Sequence, residues 1–199
     1  MRAIGNRRVC SIDMFSYFLH PSHATEGQMP KGWSLQKCSK QDRWELSRFY
    51  NRVSGGLFFD TVYPKRKYPI NESVETLYSQ VGLTRKWRTY SLNHDEELKA
   101  VLIVNQSDPG LNFSELLNSI TIQIIDPTGL TWEVISAAIN QLTFIYQKEK
   151  IPILIYPHNY LKGRNIPDDT KKYMLFILEA RLIRDFAMFL QRELKIRYW

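Results

Sequence analysis

Residues 119 to 132 read SITIQIIDPTGLTW, a β-type alternation that passes through Asp126-Pro127-Thr128-Gly129 into a helix start. A strand, a short polar turn and a helix N-terminus together can hold a phosphate. The chemistry needs free backbone N–H groups aimed at phosphate oxygens and the positive end of a helix dipole. Gly129 and the amides after Thr131 can supply part of that. Pro127 removes one donor, and Asp126 adds a like charge. The same residues also make a plain corner, because Asp-Pro-Thr-Gly is a turn and Thr131 caps a helix. From the residues alone both readings stand.

Other groups that could do chemistry are scattered. His158 follows an apolar run and could act as a base, with Tyr156 and Tyr160 beside it and Tyr173 further on. A tyrosine at a strand end ordinarily packs its ring and wets its hydroxyl. His20-Pro-Ser-His23 has a spacing that could begin a metal site, but a proline lies inside it and no cysteine pair is near, so no metal is expected. YPKRKYP at 63–69 mixes basic and aromatic residues in the manner of single-stranded nucleic-acid binders. It is short and isolated, which reads as a solvated loop. Arg181, Arg184, Arg192, Lys195 and Arg197 punctuate a C-terminal apolar stripe as the polar side of an amphipathic helix. No Walker, nucleophile-elbow, zinc-protease or dinucleotide fingerprint occurs.

The 199 residues suffice for one large domain, or one domain and a fragment. A 44% hydrophobic and 13% aromatic composition supports a sizeable core and argues against disorder. No apolar run is long enough to span a membrane, and the N-terminus lacks a signal-peptide core. A cytoplasmic protein is expected. Cys10 and Cys38 form no CxxC pair, which fits a reducing compartment. A net charge of +7 favours anionic partners without specifying one.

The elements that must position these groups follow from periodicity. Residues 9–19 read as a strand apolar on both faces, followed by a linker-like loop at 20–31. Residues 32–38 alternate Trp33, Leu35 and Lys37 against Ser34, Gln36 and Cys38. Ser39 and Asp42 then make a capping-box-like start to a helix whose apolar face is Leu46, Phe49, Tyr50 and Val53, stopped by Ser54-Gly55-Gly56. A shorter helix is predicted at 71–81 with Val74, Leu77, Tyr78 and Val81 on one face, ended by Gly82. Strands are predicted at 85–92 and 97–106 with Asn-His-Asp-Glu as the hairpin loop. In 119–126, Ile120, Ile122 and Ile124 face one way, Thr121 and Gln123 the other. A helix over 131–149 buries Ile135, Ala138, Ile139, Leu142, Ile145 and Tyr146. Residues 151–157 suit a central parallel strand, 172–178 a further strand, and Leu182, Ile183, Phe186 and Leu190 a last helix. The order predicts an α/β fold, a mixed, mostly antiparallel sheet flanked by helices.

This order resembles the GNAT superfamily of N-acyltransferases over roughly residues 32 to 160. GWSLQKCSKQDRWELSRFY resembles its opening strand and first helix, and RKWRTYSL–NHDE–ELKAVLIVNQ its central hairpin. SITIQIID resembles the splayed strand that offers backbone groups to an acyl-CoA arm, here at Ile124 and Ile125. PTGLTWEVISAAINQL resembles the loop and helix that receive the pyrophosphate, here at Thr128, Gly129, Leu130 and Thr131. IPILIYPHNY resembles the next strand with its following Asn, here Asn159. The resemblance implies acyl-CoA as cofactor, transfer of its acyl group to an amine, and His158 and Tyr160 as the nearest base and acid. The chain departs from the family's Q/R-x-x-G-x-G/A phosphate loop, having one glycine and no basic residue in 126–131, and no Tyr at the usual distance beyond Asn159.

Two functional expectations result: an acyl-CoA-dependent N-acyltransferase of unknown acceptor, or a catalytically inactive GNAT-like sensory or protein-interaction module with a protein partner. Nucleic acid is the weaker expectation, since it rests only on charge and the 63–69 loop. Residues 1–31 are expected to stand apart from the domain at 32–199, resembling the closing strand of a neighbouring unit in a tandem arrangement or a homodimer.

Overall fold

The computed structural model describes residues 7–18, 28–54, 74–108, 118–143, 145–146, 150–157 and 171–177. The elements are β1 (Arg7–Phe18), β2 (Trp33–Lys37), α1 (Lys40–Ser54), α2 (Val74–Gln80), β3 (Arg85–His94), β4 (Glu97–Ser107), β5 (Ile120–Ile124), α3 (Trp132–Thr143), β6 (Lys150–Tyr156) and β7 (Lys171–Ile177). The strands form one seven-stranded sheet in the order β2-β3-β4-β5-β6-β1-β7. Every neighbouring pair is antiparallel except β5 and β6, which α3 connects as a parallel pair. The class is α/β, a mixed, mostly antiparallel sheet with helices packed on it.

Strand alternation sorts the core into two layers. Ile120, Ile122 and Ile124 join Leu92, Leu102, Val104 and Ile151, Ile153 and Ile155 beneath the buried stripe of α3, Val134, Ile135, Ala138, Ile139 and Leu142. Val101, Ile103 and Tyr156 point the other way and pack against Leu46 and Tyr50 of α1. Thr121 and Gln123 share that second face and are buried as well.

Helix ends follow local chemistry. The Ser39 hydroxyl accepts from the Asp42 amide at 3.1 Å, and the Asp42 carboxylate accepts from the Ser39 amide at 2.7 Å, closing the expected box. At the end of α2, Gly82 takes φ +73° while its amide donates to Ser79 O and the Leu83 amide to Tyr78 O. That is a Schellman stop, and it leaves Val81 exposed rather than on the buried face expected for it.

Three boundaries differ from expectation. The β3–β4 loop is Asp95-Glu96 alone, both at positive φ (46° and 69°), so Asn93 and His94 belong to the strand. Two left-handed residues match the right-handed twist of the flanking strands. Helix α3 ends at Thr143, not 149. There the Tyr146 hydroxyl donates into the sheet at Asn105 O (2.7 Å) and Ser119 O (2.9 Å), which draws the chain off the helix axis. Strand β1 does not stand apart from the domain at 32–199. It lies inside the same sheet, paired with β6 on one side and β7 on the other. The predicted last helix and residues 178–180 lie outside the described residues. Among the described residues, no helix is long and apolar enough to cross a membrane.

Candidate functional site

The corner at 126–131 is built by a bulge on the neighbouring strand. Leu92 pairs with Ala100 and Asn93 with Leu98, so Lys99 is an extra residue in β4. A bulge breaks the ladder and re-aims its residue. Here the Lys99 carbonyl accepts from both the Ile125 amide (2.9 Å) and the Asp126 amide (3.1 Å), which ends β5 at Ile124. The Lys99 side chain, almost wholly buried, donates to Asp126 at 2.7 Å and to Glu97 at 2.9 Å.

Asp126 is therefore not a loose negative charge. Its other oxygen accepts from the Thr128 amide at 2.9 Å. Burial works against its charge, but the hydrogen bonds from Lys99 and Thr128 outweigh it and hold the carboxyl down at about 2. Lys99 is shifted upward, chiefly by its hydrogen bond to Asp126 and then by that to Glu97. The basic residue missing from the loop sequence is thus present beneath it, supplied by β4 and already neutralised.

The residues expected to hold a pyrophosphate are distributed as follows. Thr128 and Gly129 are exposed, and Gly129 takes φ +73° close to the Trp33 ring. The Thr128 amide is engaged by Asp126, and the Leu130 amide donates to Pro127 O at 3.1 Å. The Leu130 side chain belongs to the core under α3 rather than to a ligand. Thr131 caps α3, its hydroxyl accepting from the Val134 amide at 3.4 Å and its carbonyl from Ile135 at 3.1 Å.

The strand groups expected to meet an acyl-CoA arm are engaged too. The Tyr50 hydroxyl, reaching across from α1, donates between Ile124 O (3.3 Å) and Tyr156 O (3.1 Å). Its ring stacks on Tyr156 at 5.2 Å. The phenol thus ties together the C-terminal ends of the parallel pair β5 and β6. Next to it in β5, Gln123 is fully buried, and neither its amide nitrogen nor its amide oxygen has a hydrogen-bond partner among the described residues.

His158, Asn159 and Tyr160 lie outside the described residues, as do His20, His23 and the 63–69 loop. Among the described residues no group of His, Cys, Asp and Glu could hold a metal ion. The corner brings together Ile125, Thr128 and Thr131 with Lys99 and Asp126, and the tie at Ile124 adds Tyr50. Lys99 and Tyr50 were not among the expected site residues. The signal for Lys99 was a lone charge in the apolar run Leu98–Val104. Tyr50 read only as one more apolar position on α1.

No family model and no curated protein matches the chain. One solved structure, described as a functionally unknown conserved protein from Staphylococcus epidermidis ATCC 12228, is similar at 9% identity with a TM-score of 0.43. The similarity covers 89% of this chain and 64% of that one, and at that score it carries no inference about fold or function.

Proposed function

We propose that the chain is a GNAT-like module without acyl-transfer activity, acting as a sensory or protein-interaction domain. The likeness rests on element order: β2, α1, α2, β3, β4, β5, α3, β6, with the parallel pair where the family places its cofactor cleft. The observation that carries the reading is the closed corner. Lys99 and Thr128 satisfy Asp126, and the Tyr50 hydroxyl bridges the carbonyls at the ends of β5 and β6.

A second reading, an acyl-CoA-dependent N-acyltransferase of unknown amine acceptor, is favoured by one feature. Gln123 offers a buried amide with no partner among the described residues beside those strand ends, as a site awaiting a ligand would. In this reading Ile124, Ile125, Gly129 and Asn159 hold the cofactor, and His158 and Tyr160 move the protons.

Thermal-shift titration separates the two, because a ligand that binds only the folded state raises the melting temperature. Acetyl-CoA, longer acyl-CoAs and free CoA are compared on the native chain and on Thr128→Glu. That substitution sets a charge at the exposed corner without disturbing the left-handed Gly129. The module reading expects no acyl-dependent shift and no effect of Thr128→Glu. An acyl-dependent rise abolished by Thr128→Glu would overturn it in favour of the transferase.

A further inference from the structure

On the face of the sheet opposite α3, helix α1 packs Leu46 and Tyr50, both fully buried, against Val101, Ile103 and Tyr156. Its outer side has the reverse character. Lys40, Trp44, Arg48 and Arg52 recur every four residues, so they form one ridge along the helix, about 18 Å long at a rise of about 1.5 Å per residue. All four are exposed, and Trp44, at 59%, is one of two large apolar side chains left to solvent among the described residues. The Arg48 guanidinium lies over the Trp44 ring, 5.2 Å from its centre, and the Arg52 guanidinium lies 6.0 Å from the centre of the Phe49 ring. None of Lys40, Arg48 and Arg52 has an ion-pair partner among the described residues. The two acids of the helix are engaged elsewhere. Asp42 accepts from the Ser39 amide, and Glu45 accepts from the Gln41 side chain at 3.2 Å.

We propose that this ridge is the docking surface for an acidic protein segment, one that sets an apolar side chain on Trp44 and carboxylates to either side of it. The proposal deepens the interaction-module reading and rests on it. Trp and Arg are the residue types that carry most of the binding energy at protein interfaces. The core does not use Trp44, whose ring lies on the side of α1 away from Leu46 and Tyr50. Lys40 precedes it by one turn and Arg48 follows by one, so the indole is flanked by cations. An apolar centre with a charged rim is the ordinary anatomy of a docking patch. A guanidinium stacked on an indole keeps its in-plane N–H groups free for a carboxylate. The stacking also holds the side chain in place, so less freedom is lost on binding. Other polyanions fit the ridge less well. A bilayer takes up the apolar face of a helix, and that of α1 is turned into the core. Single-stranded nucleic acid stacks successive bases on several rings, and the ridge carries one exposed ring.

The test is binding of a labelled synthetic peptide, Glu-Glu alternating with Phe, to the full chain by fluorescence anisotropy at physiological salt. The same peptide with Ser in place of Phe, oligothymidylate and phosphatidylserine vesicles are the comparisons. Trp44→Ala and Arg48→Glu alter exposed ridge residues, and Arg88→Ala removes an exposed cation on β3. Melting temperatures confirm that the variants fold. The expected result is saturable binding that weakens by about tenfold or more in Trp44→Ala and in Arg48→Glu. Arg88→Ala should be unchanged. The Ser peptide should bind more weakly and be indifferent to Trp44→Ala. The absence of saturable binding would overturn the proposal. So would an equal loss in Arg88→Ala, since the peptide would then be reading a general basic surface. Tighter, Trp44-dependent binding of oligothymidylate or of the vesicles would overturn it too, and would give the ridge to another polyanion. The ridge is separate from the 126–131 corner, so the two readings fail separately. An acyl-dependent melting shift lost in Thr128→Glu removes the module reading and leaves the peptide result standing, whereas a peptide that does not bind leaves the acyl-CoA titration as it was.

Discussion

Two side chains sit where their own chemistry costs stability. Gln123 buries an amide with no partner on either atom among the described residues, and each such group forfeits about 1–3 kcal/mol of hydration. Gln123→Leu removes the penalty at similar length among Val101, Tyr50 and Tyr156. It should raise the urea midpoint by an amount equivalent to about 1–2 kcal/mol with an unchanged slope. A lower midpoint would show that the amide is satisfied in solution. The second case is Glu96, held at φ 69° in the hairpin turn. The left-handed conformation costs a non-glycine residue about 1–2 kcal/mol, partly offset in a glycine by its freer unfolded chain. Glu96→Gly should therefore stabilise by about 0.5–1 kcal/mol, read as a higher melting temperature.

Among elements, the β4 bulge is what turns a strand end into a corner. Lys99 is buried and Asp126 half-exposed, so the two partners are not equivalent. Asp126→Ala strands an ammonium with only the exposed Glu97, whereas Lys99→Met leaves a carboxylate that water can reach. Asp126→Ala should be the more damaging, by about 2–4 kcal/mol against a smaller loss for Lys99→Met, in equilibrium unfolding. The pH dependence has a fixed sign. The Asp126 carboxyl is lower in the folded chain, at about 2, than in the unfolded one. Its contribution is complete above the ordinary carboxylate range and is lost as pH falls toward 2. The stability gap between the native chain and Asp126→Asn should accordingly narrow from pH 5 to pH 2.

The same corner shows what a sequence can carry. β2 and β5 are legible in alternation, the other described strands in short apolar or turn-bounded runs, and the caps at Ser39 and Gly82 in residue type, because these depend on neighbours a few positions apart. The bulge is not legible. It depends on Leu98 and Ala100 pairing with β3 while Lys99 between them has no partner in that strand, a fact of register between strands. The Tyr50 tie is not legible either, since it joins residues 74 and 106 positions apart in the chain. Asp126 read locally as repulsive to phosphate. Its actual role is set by a lysine 27 residues earlier.

For the whole molecule, the position of β1 matters most. A loop of linker-like composition at 20–31 reads as a boundary, yet β1 supplies both partners that β6 and β7 need. Without it the sheet would end at β6, the parallel partner of β5 in the middle of the core, and β7 would have no neighbour in the order. An exposed, apolar strand edge invites pairing between chains. Deleting residues 1–18 should therefore do more than shorten the protein. The truncated chain should melt without a cooperative transition, or associate through the open edge of β6 in a concentration-dependent way on size-exclusion chromatography. A synthetic peptide of residues 7–18 should restore a monomer with a cooperative melt, because it rebuilds the antiparallel ladders Asp13–Ile155 to Phe18–Lys150 on one side and Arg7–Ile177 to Met14–Lys171 on the other. If the truncated chain melts as cooperatively as the full one and ignores the peptide, β1 is not part of this sheet in solution. The strand would then be free to complete a neighbouring unit, as its composition and the loop after it first suggest.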